Sequence, residues 1–315
     1  MNIFTHERIL KAMYDIVIIG GGAAGMSAAI YAGRSGAKTL VIESMSVGGQ
    51  MNLTYEIDNY PGIIDAPTGT ELSQIMKNHA LKFDVDFTTE TVKEIIDAEE
   101  DIKKIITRKN TYETKSVIFA TGATPKKLGA DGEDRFYGMG VSYCATCDGA
   151  FFRGQDTAVI GGGNTAFEDV LYLSRFAKTV YLIHRRTGFR AEGRMVEAAK
   201  NNPKIKFILD SEVEKINGDT AVSSIMVRDT ITGKKTELYV NGVFVAIGRD
   251  ANSALAKKYV HLNNDGFIVT DRYMQTNVKG IFAAGDVRDT PLRQVITAAA
   301  DGAIAATSAI HYINK

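Results

Sequence analysis

Tyr14-Asp15-Ile16-Val17-Ile18-Ile19-Gly20-Gly21-Gly22-Ala23-Ala24-Gly25 decides the fold of this chain. Its first half reads as a buried strand, and its second half matches G-x-G-x-x-G. An amphipathic helix is expected from about Gly25 to Ser35. A second apolar strand, Thr39–Ile42, then ends at Glu43. Each part serves dinucleotide binding. Gly20 permits a tight turn, Gly22 lets backbone approach a pyrophosphate at the helix N-terminus, Gly25 lets helix pack on strand, and Glu43 accepts hydrogen bonds from a ribose. A lone glycine triplet is weak. Strand, glycines, helix, strand and terminal acid in that order make a strong signal, against the alternative of a Gly-rich turn with no ligand.

The pattern restarts at Thr157-Ala158-Val159-Ile160, followed by Gly161-Gly162-Gly163-Asn164-Thr165-Ala166, a helix to about Phe176, and a strand Val180–Ile183. The distance from first glycine to strand end is the same in both copies, 20 to 43 and 161 to 184. Two such domains imply two dinucleotides. At the place of Glu43 stands His184, with Arg185, Arg186 and Arg190 close by. A carboxylate there repels a 2′-phosphate, whereas guanidinium forks accept one, so the second site reads as NADPH. The alternative is a solvated basic loop.

Between and beyond the copies the signals are coarser. Gly48-Gly49-Gln50 and Asn59-Tyr60-Pro61-Gly62 are loops. Leu72–Phe83 reads as a helix and residues 85 to 117 as short strands. Lys115–Phe119 reads as a further strand closing on Ala120-Thr121-Gly122. Residues 205 to 245 again read as strands, and Val243–Val245 runs into Ala246-Ile247-Gly248-Arg249 much as Val117 runs into Gly122. Gly280–Gly285 reads as a strand ending at Asp286. Gln294–Tyr312 is an Ala-rich helix whose N-terminus, preceded by Arg293, suits the pyrimidine edge of a flavin. The expected fold class is α/β, with one dinucleotide-binding domain for each glycine loop.

Cys144-Ala145-Thr146-Cys147-Asp148 holds the only two cysteines of 315 residues. Two thiols at this spacing can close and reopen a small disulfide, whereas a staple gains most by closing a long loop. The alternatives are a stray buried pair or half a zinc site, and zinc needs two more ligands for which no cluster is evident. Asp148 reads as an acid/base for the dithiol or as a helix N-cap, and the two roles are compatible. Lys+Arg and Asp+Glu are both 37, so the net charge of zero points away from nucleic acid and from bulk membrane surface. No apolar run approaches the roughly 18 residues of a membrane span. Met1–Ala12 does not read as a signal peptide, and a dithiol without structural disulfides fits a cytoplasmic protein.

The CATCDG stretch, Gly161–Ala166, His184–Arg190, Gly280–Asp286 and Arg293-Gln294 together resemble the low-molecular-weight bacterial thioredoxin reductases. The likeness runs from about Tyr14 to Tyr312, with only Met1–Met13 additional, and it implies two Rossmann-like three-layer domains, the second (124–249) inserted in the first (1–123 with 250–315). It implies FAD on Gly20, Gly22, Ala23, Ala24, Gly25, Glu43 and Ser44, with Gly49, Gln50 and Asn59 near the isoalloxazine. It also implies contacts from the Ala120-Thr121-Gly122 turn, from Gly285 and Asp286, and from Arg293, Gln294 and Val295 at the ring edge. NADPH would lie on Gly161, Gly163, Asn164, Thr165, His184, Arg185, Arg186, Arg190, Ile247, Gly248 and Arg249. Cys147 would face the flavin, Cys144 would attack the thioredoxin disulfide, and Asp148 would move the protons. A homodimer is implied, and no metal. Competing readings are a reductase feeding another thiol protein, a flavin thiol oxidase or ferredoxin-driven relative, and a nucleotide sensor. The basic run argues against the second and the intact cysteine pair against the third. Because one dithiol must meet both a flavin and a whole protein, two domain orientations are expected, hinged near Ala123–Lys127 and Ile247–Asn252. Phe151 and Phe152 are the expected apolar partner surface.

Overall fold

The computed structural model describes residues 9–54, 56–65 and 67–315, and of 9–12 the backbone only. Ile16 and Ile18 point into one apolar core, Val17 and Ile19 into another. A strand buried on both faces belongs inside a parallel sheet covered on each side, which is why Ile16–Ile19 carries no polar alternation. In chain order the elements are β1 (Ile9–Ile19), α1 (Ala23–Arg34), β2 (Thr39–Glu43), α2 (Gly69–Leu81), β3 (Asp86–Thr89), β4 (Val92–Ile96), β5 (Lys103–Thr107), β6 (Asn110–Phe119), β7 (Ala123–Pro125), β8 (Val141–Ser142), α3 (Ala145–Asp148) and β9 (Asp156–Ile160). Then follow α4 (Asn164–Leu173), β10 (Thr179–Ile183), α5 (Gly193–Lys200), β11 (Ile205–Ile208), β12 (Ser211–Gly218), β13 (Val222–Asp229), β14 (Lys235–Tyr239), β15 (Gly242–Val245), β16 (Arg249–Ala251), β17 (Ile281–Ala283) and α6 (Val295–Ile313). Of the expected lead Met1–Met13, residues 1–8 lie outside the described residues, and residues 9–13 extend β1.

The chain forms two compact units, one running to Thr124 and resuming at Asp250–Lys315, the other Pro125–Arg249. The first unit is built on a parallel run β3-β2-β1-β6-β17. Strand β6 does two jobs. Its Val117–Phe119 half pairs with β17, while Thr111–Thr114 pairs with the antiparallel β5–β4 meander. Lys115–Phe119 is therefore not a separate strand. Burial alternates in the meander half of β6 and becomes continuous in the sheet half, and that change of pattern disguises one strand as two. The expected strand Gly280–Asp286 is also shorter, because Gly285 takes φ +75° and turns the chain so that Asp286 sits in a short 3-10 turn.

Helices α1, α2 and α6 cover one face of this sheet. Gly302 of α6 lies against the backbone of α1, where an added Cβ would stand 2.1 Å from the Ala24 carbonyl oxygen and 3.0 Å from the Ala28 nitrogen. The second unit repeats the plan as an all-parallel sheet β11-β10-β9-β15-β8 with an antiparallel β12-β13-β14 sheet. Again successive residues of the first strand feed two cores, Ala158 and Ile160 one and Val159 the other. Helix α5 was not expected from the sequence. It is only eight residues long and its only buried residue is Ala199, so it is too short to display a helical period clearly in sequence.

The repeat extends to single atoms. Gly20 donates to Ile42 O at 2.9 Å and Gly161 to Ile183 O at 3.1 Å, while Ala120 donates to Ile19 O and Ala246 to Ile160 O, both at 2.8 Å. The two crossings between units, β7 and β16, pair as a two-stranded ribbon. Among the described residues no helix is long and apolar enough to cross a membrane.

A methyl group at Gly302 has no cavity to enter, and overpacking of this kind costs about 1–3 kcal/mol. Gly302→Ala is expected to lower the urea midpoint of the first unit's unfolding. An unchanged midpoint would show that α1 and α6 can part at no cost.

Candidate active site

The sequence-selected residues gather at the C-terminal ends of parallel strands, where open α/β sheets bind ligands. In the first unit these are Gly20 after β1, Glu43 closing β2, Ala120–Gly122 after β6, and Gly285–Asp286 after β17. In the second they are Gly161 after β9, His184 after β10, Ala246–Gly248 after β15, and Cys144 after β8. Strands β17 and β8 hold the same place at the sheet edge, each beside the strand that follows the glycine-loop strand. One ends in an acid and the other in the cysteine pair.

Both glycine loops are shaped for an anion. Gly20 (φ +107°) and Gly161 (φ +157°) each pass so close to a neighbouring strand end that a Cβ would lie 2.3 Å from a carbonyl oxygen, of Ala120 and of Ala246 respectively. Helices α1 and α4, which follow these loops, start at Gly22 and Gly163 with no side-chain cap and no acidic residue in the first turn. Helix α2 shows the usual solution, with Thr68 and Glu71 forming a capping box, a device worth about 1 kcal/mol. The two helices that begin without it leave their first-turn N–H groups and dipole for a pyrophosphate, so the loops fit two dinucleotides.

Around the first loop, Glu43 does more than face a ribose. Its Oε2 accepts Gly21 N–H at 2.7 Å, and its Oε1 accepts from the Ser44 hydroxyl at 3.0 Å and Met45 N–H at 3.1 Å. It thereby fixes the loop's shape. Gly49 and Gln50 open a 3-10 turn, Gly49–Leu53. Asn59 donates to Gln294 Oε1 at 3.1 Å, bringing together two flavin-edge candidates 235 positions apart in sequence. The Arg293 guanidinium lies 4.3 Å from the Phe267 ring centre, just before Val295 opens α6. Thr121 is tied to Asn252 in both directions, hydroxyl to Asn252 O at 2.7 Å and Asn252 Nδ2 to Thr121 O at 2.9 Å. Sequence reasoning also missed Arg288 and Asp301. Arg288 Nε donates to Asp301 Oδ2 at 2.6 Å and Nη2 to Oδ1 at 3.2 Å, and the same carboxylate accepts Gly285 N–H at 3.2 Å. This largely buried pair clamps the turn bearing Asp286 to α6.

The second loop borders a cavity of about 750 Å³ lined by Gly161–Gly163, Thr165, His184, Arg185, Arg186, Arg190, Ile247 and Gly248. The His184 ring lies over Gly162, within 2.6 Å of where a Cβ would be. Burial, then the charges of Arg185, Arg186 and Arg190, outweigh a backbone hydrogen bond and hold its imidazole below the usual range. Arg190 N–H donates to Gly162 O at 2.8 Å and folds the basic segment back over the loop. Arg185, Arg186 and Arg190 make no ion pair among the described residues, whereas Glu212 on the cavity wall is paired with Arg228 at 3.1 Å. Lys126 and Ser211–Val213 also line the cavity. They come from distant segments and carried no sequence signal. Two expected contacts point elsewhere. Asn164 Oδ1 accepts Glu192 N–H at 3.0 Å, and Arg249, which is absent from the cavity wall, donates from Nη2 to Tyr143 O at 3.0 Å.

Cys144 and Cys147 form a disulfide with Cα atoms 5.3 Å apart. Cys144 is the residue before α3, a single turn whose Cys147 and Asp148 N–H groups donate to Cys144 O at 3.2 and 3.1 Å. The Asp148 side chain caps no helix. It accepts instead from the Ser142 hydroxyl at 2.6 Å. Phe152 packs edge-on against Phe244 at 5.4 Å, so of the two expected surface aromatics only Phe151, 53% exposed, is presented outward.

Comparison with known proteins agrees with this geometry. The sequence profile of the pyridine nucleotide-disulphide oxidoreductases matches residues 14–302. The chain is 44% identical over 310 residues to a thioredoxin reductase of Peptoclostridium acidaminophilum, covering 96% of this chain and 98% of the relative. It is 45% identical over 311 residues to a bifunctional thioredoxin reductase/thioredoxin of Mycobacterium leprae, covering 98% of this chain and 67% of that protein. The crystal structure of thioredoxin reductase from Streptococcus pyogenes is similar with a TM-score of 0.91 at 44% identity, covering 96% of this chain and 99% of that one. With its paired glycine loops and its two-cysteine disulfide, this chain belongs to the pyridine nucleotide-disulphide oxidoreductase family.

Proposed function

We propose that this chain is an NADPH-dependent flavoprotein that reduces the disulfide of thioredoxin through Cys144 and Cys147. The observation that carries the reading is the Cys144–Cys147 disulfide at the end of β8, in a chain with two uncapped glycine loops. When bound, NADPH supplies a hydride and FAD accepts it and passes electrons on in pairs. Residues of the first loop, with Glu43, Asn59, Asp286, Arg293 and Gln294, hold the flavin nucleotide. The basic segment Arg185–Arg190 holds the 2′-phosphate, since its arginines line the cavity without an ion pair among the described residues.

Once the pair is reduced, the Cys144 thiolate attacks one sulfur of the partner's disulfide, and the other partner sulfur leaves as thiolate. The Cys147 thiolate then attacks the Cys144 sulfur, which closes the internal disulfide and frees the partner as a dithiol. Asp148 takes and returns the thiol protons, since thiolate fraction sets the rate. Phe151 offers an exposed apolar contact beside the pair. Because one dithiol serves both a flavin and a whole protein, domain movement between half-reactions belongs to the proposal, as do a homodimer and a cytoplasmic location.

The test is bleaching of the yellow protein by NADPH followed by reoxidation with thioredoxin. Cys144→Ser and Cys147→Ser are each expected to abolish thioredoxin reduction while NADPH still bleaches the flavin. Substantial turnover in either variant would exclude the dithiol route. Replacing Arg185 and Arg186 together with Gln removes charge-assisted contacts of roughly 1.5–3 kcal/mol, so preference for NADPH over NADH is expected to fall by about one to two decades. A constant preference ratio, measured by steady-state kinetics, would reduce the arginines to surface charge.

A further inference from the structure

We infer that Ser142 is a positioning residue for the dithiol's proton transfer, acting as a hydroxyl rotor that serves both charge states of Asp148. This rests on the reading of Asp148 as the acid/base. Ser142 ends the edge strand β8, paired with Phe244 of β15, and is only 4% exposed. Its oxygen sits among three groups. Asp148 Oδ2 lies 2.6 Å away, Cys144 O lies 3.3 Å away, and Cys144 N–H donates to it at 3.0 Å.

A serine hydroxyl has one hydrogen and two acceptor positions. Cys144 N–H occupies one acceptor position in either state. With Asp148 ionised, the hydrogen points along the 2.6 Å line to the carboxylate. With Asp148 protonated, the carboxyl O–H donates to the serine oxygen, and the serine hydrogen turns to Cys144 O. The proton count changes only at Asp148, which gains the proton that a cysteine thiol loses. Neither state leaves a buried donor facing a donor, so the carboxyl group can change charge without moving. A hydrogen bond to the ionised form favours that form, and here it is the shorter of the two the rotor can make.

Other groups surround this site. Tyr137, in the turn before β8, has its phenol raised by burial and then by the charge of Asp148, against Arg249. Arg249 is anchored on Tyr143 O. From α4, which packs against α3, come Glu168 and Asp169. Burial first, then Glu168, push Asp169 up to about 7, against Arg249. Asp169 therefore titrates in the working range and needs a control.

The experiment follows the oxidation of the reduced holoenzyme by an aromatic disulfide, read as released aryl thiolate, across pH. Asp148→Asn is expected to move the acid limb of the rate profile. Ser142→Ala is expected to shift that limb upward by about one pH unit, as loss of one hydrogen bond to a charged group implies, with the plateau rate at high pH unchanged. Ser142→Thr, which keeps the hydroxyl, restores the wild-type limb. The Ser142→Ala shift persists in an Asp169→Asn background and vanishes in an Asp148→Asn background. If Asp148→Asn leaves the profile in place, the acid/base reading itself fails. If Asp148→Asn moves it and Ser142→Ala does not, Ser142 is structural only and the rotor is wrong. A drop in thermal stability of Ser142→Ala with an unmoved limb likewise overturns the rotor.

Discussion

Everything in this chain hangs on two places where backbone touches backbone. At Gly20 and at Gly161 a carbonyl oxygen of the adjacent strand end occupies the space a Cβ would need, 2.3 Å away in both units. An L-residue with a side chain is excluded there by contact, and also by the positive φ. The contact closes the gap between the two central strands of each sheet and turns the chain into a helix. It also leaves the helix N-terminus open beside the strand ends. Fold and candidate anion site arise from the same constraint.

On this shared frame the two units diverge where a ligand's charge would be read. At the end of the second strand, Glu43 in one unit draws in the Gly21 amide, while His184 in the other lies over Gly162 and introduces three arginines. A carboxylate suits a ribose hydroxyl and a guanidinium suits a phosphate, so one backbone is fitted for two different specificities. The edge strands diverge as well. Strand β17 delivers Asp286, clamped through Gly285 to the buried Arg288–Asp301 pair, and β8 delivers the disulfide.

Polar contacts hold the backbone around the disulfide, while Ala145 between the cysteines packs into an apolar core with Phe167, Val170 and Leu173. Ser142 and Arg249 hold the backbone on its N-terminal side, Cys144 O collects the amides of α3, and Asp148 is turned away from capping toward Ser142. A redox pair must change bonding and protonation without collapse of its surroundings, and directional hydrogen bonds to fixed backbone meet that need.

The sequence by itself determined the two glycine-loop units, the disulfide pair and the basic segment after the second loop, because each is written in residues close along the chain. A tight turn needs glycine at a set offset from a strand, and a small disulfide needs two cysteines a turn apart. Contacts between residues far apart in sequence were decided only by the tertiary structure. Asn59 meets Gln294, Asp301 reaches back to Gly285, Lys126 joins Ser211–Val213 on one cavity wall, and Arg249 turns to Tyr143 instead of that cavity. Strand β6 looked like two strands because half of it lies in a half-exposed meander and half in a buried sheet. By residue type Asp148 suited proton transfer and was also compatible with capping. The position of Ser142, fixed by its pairing with β15, turned its side chain away from the cap. Local propensity can specify a turn or a strand, but which distant side chain satisfies a buried polar group depends on packing that no short stretch encodes.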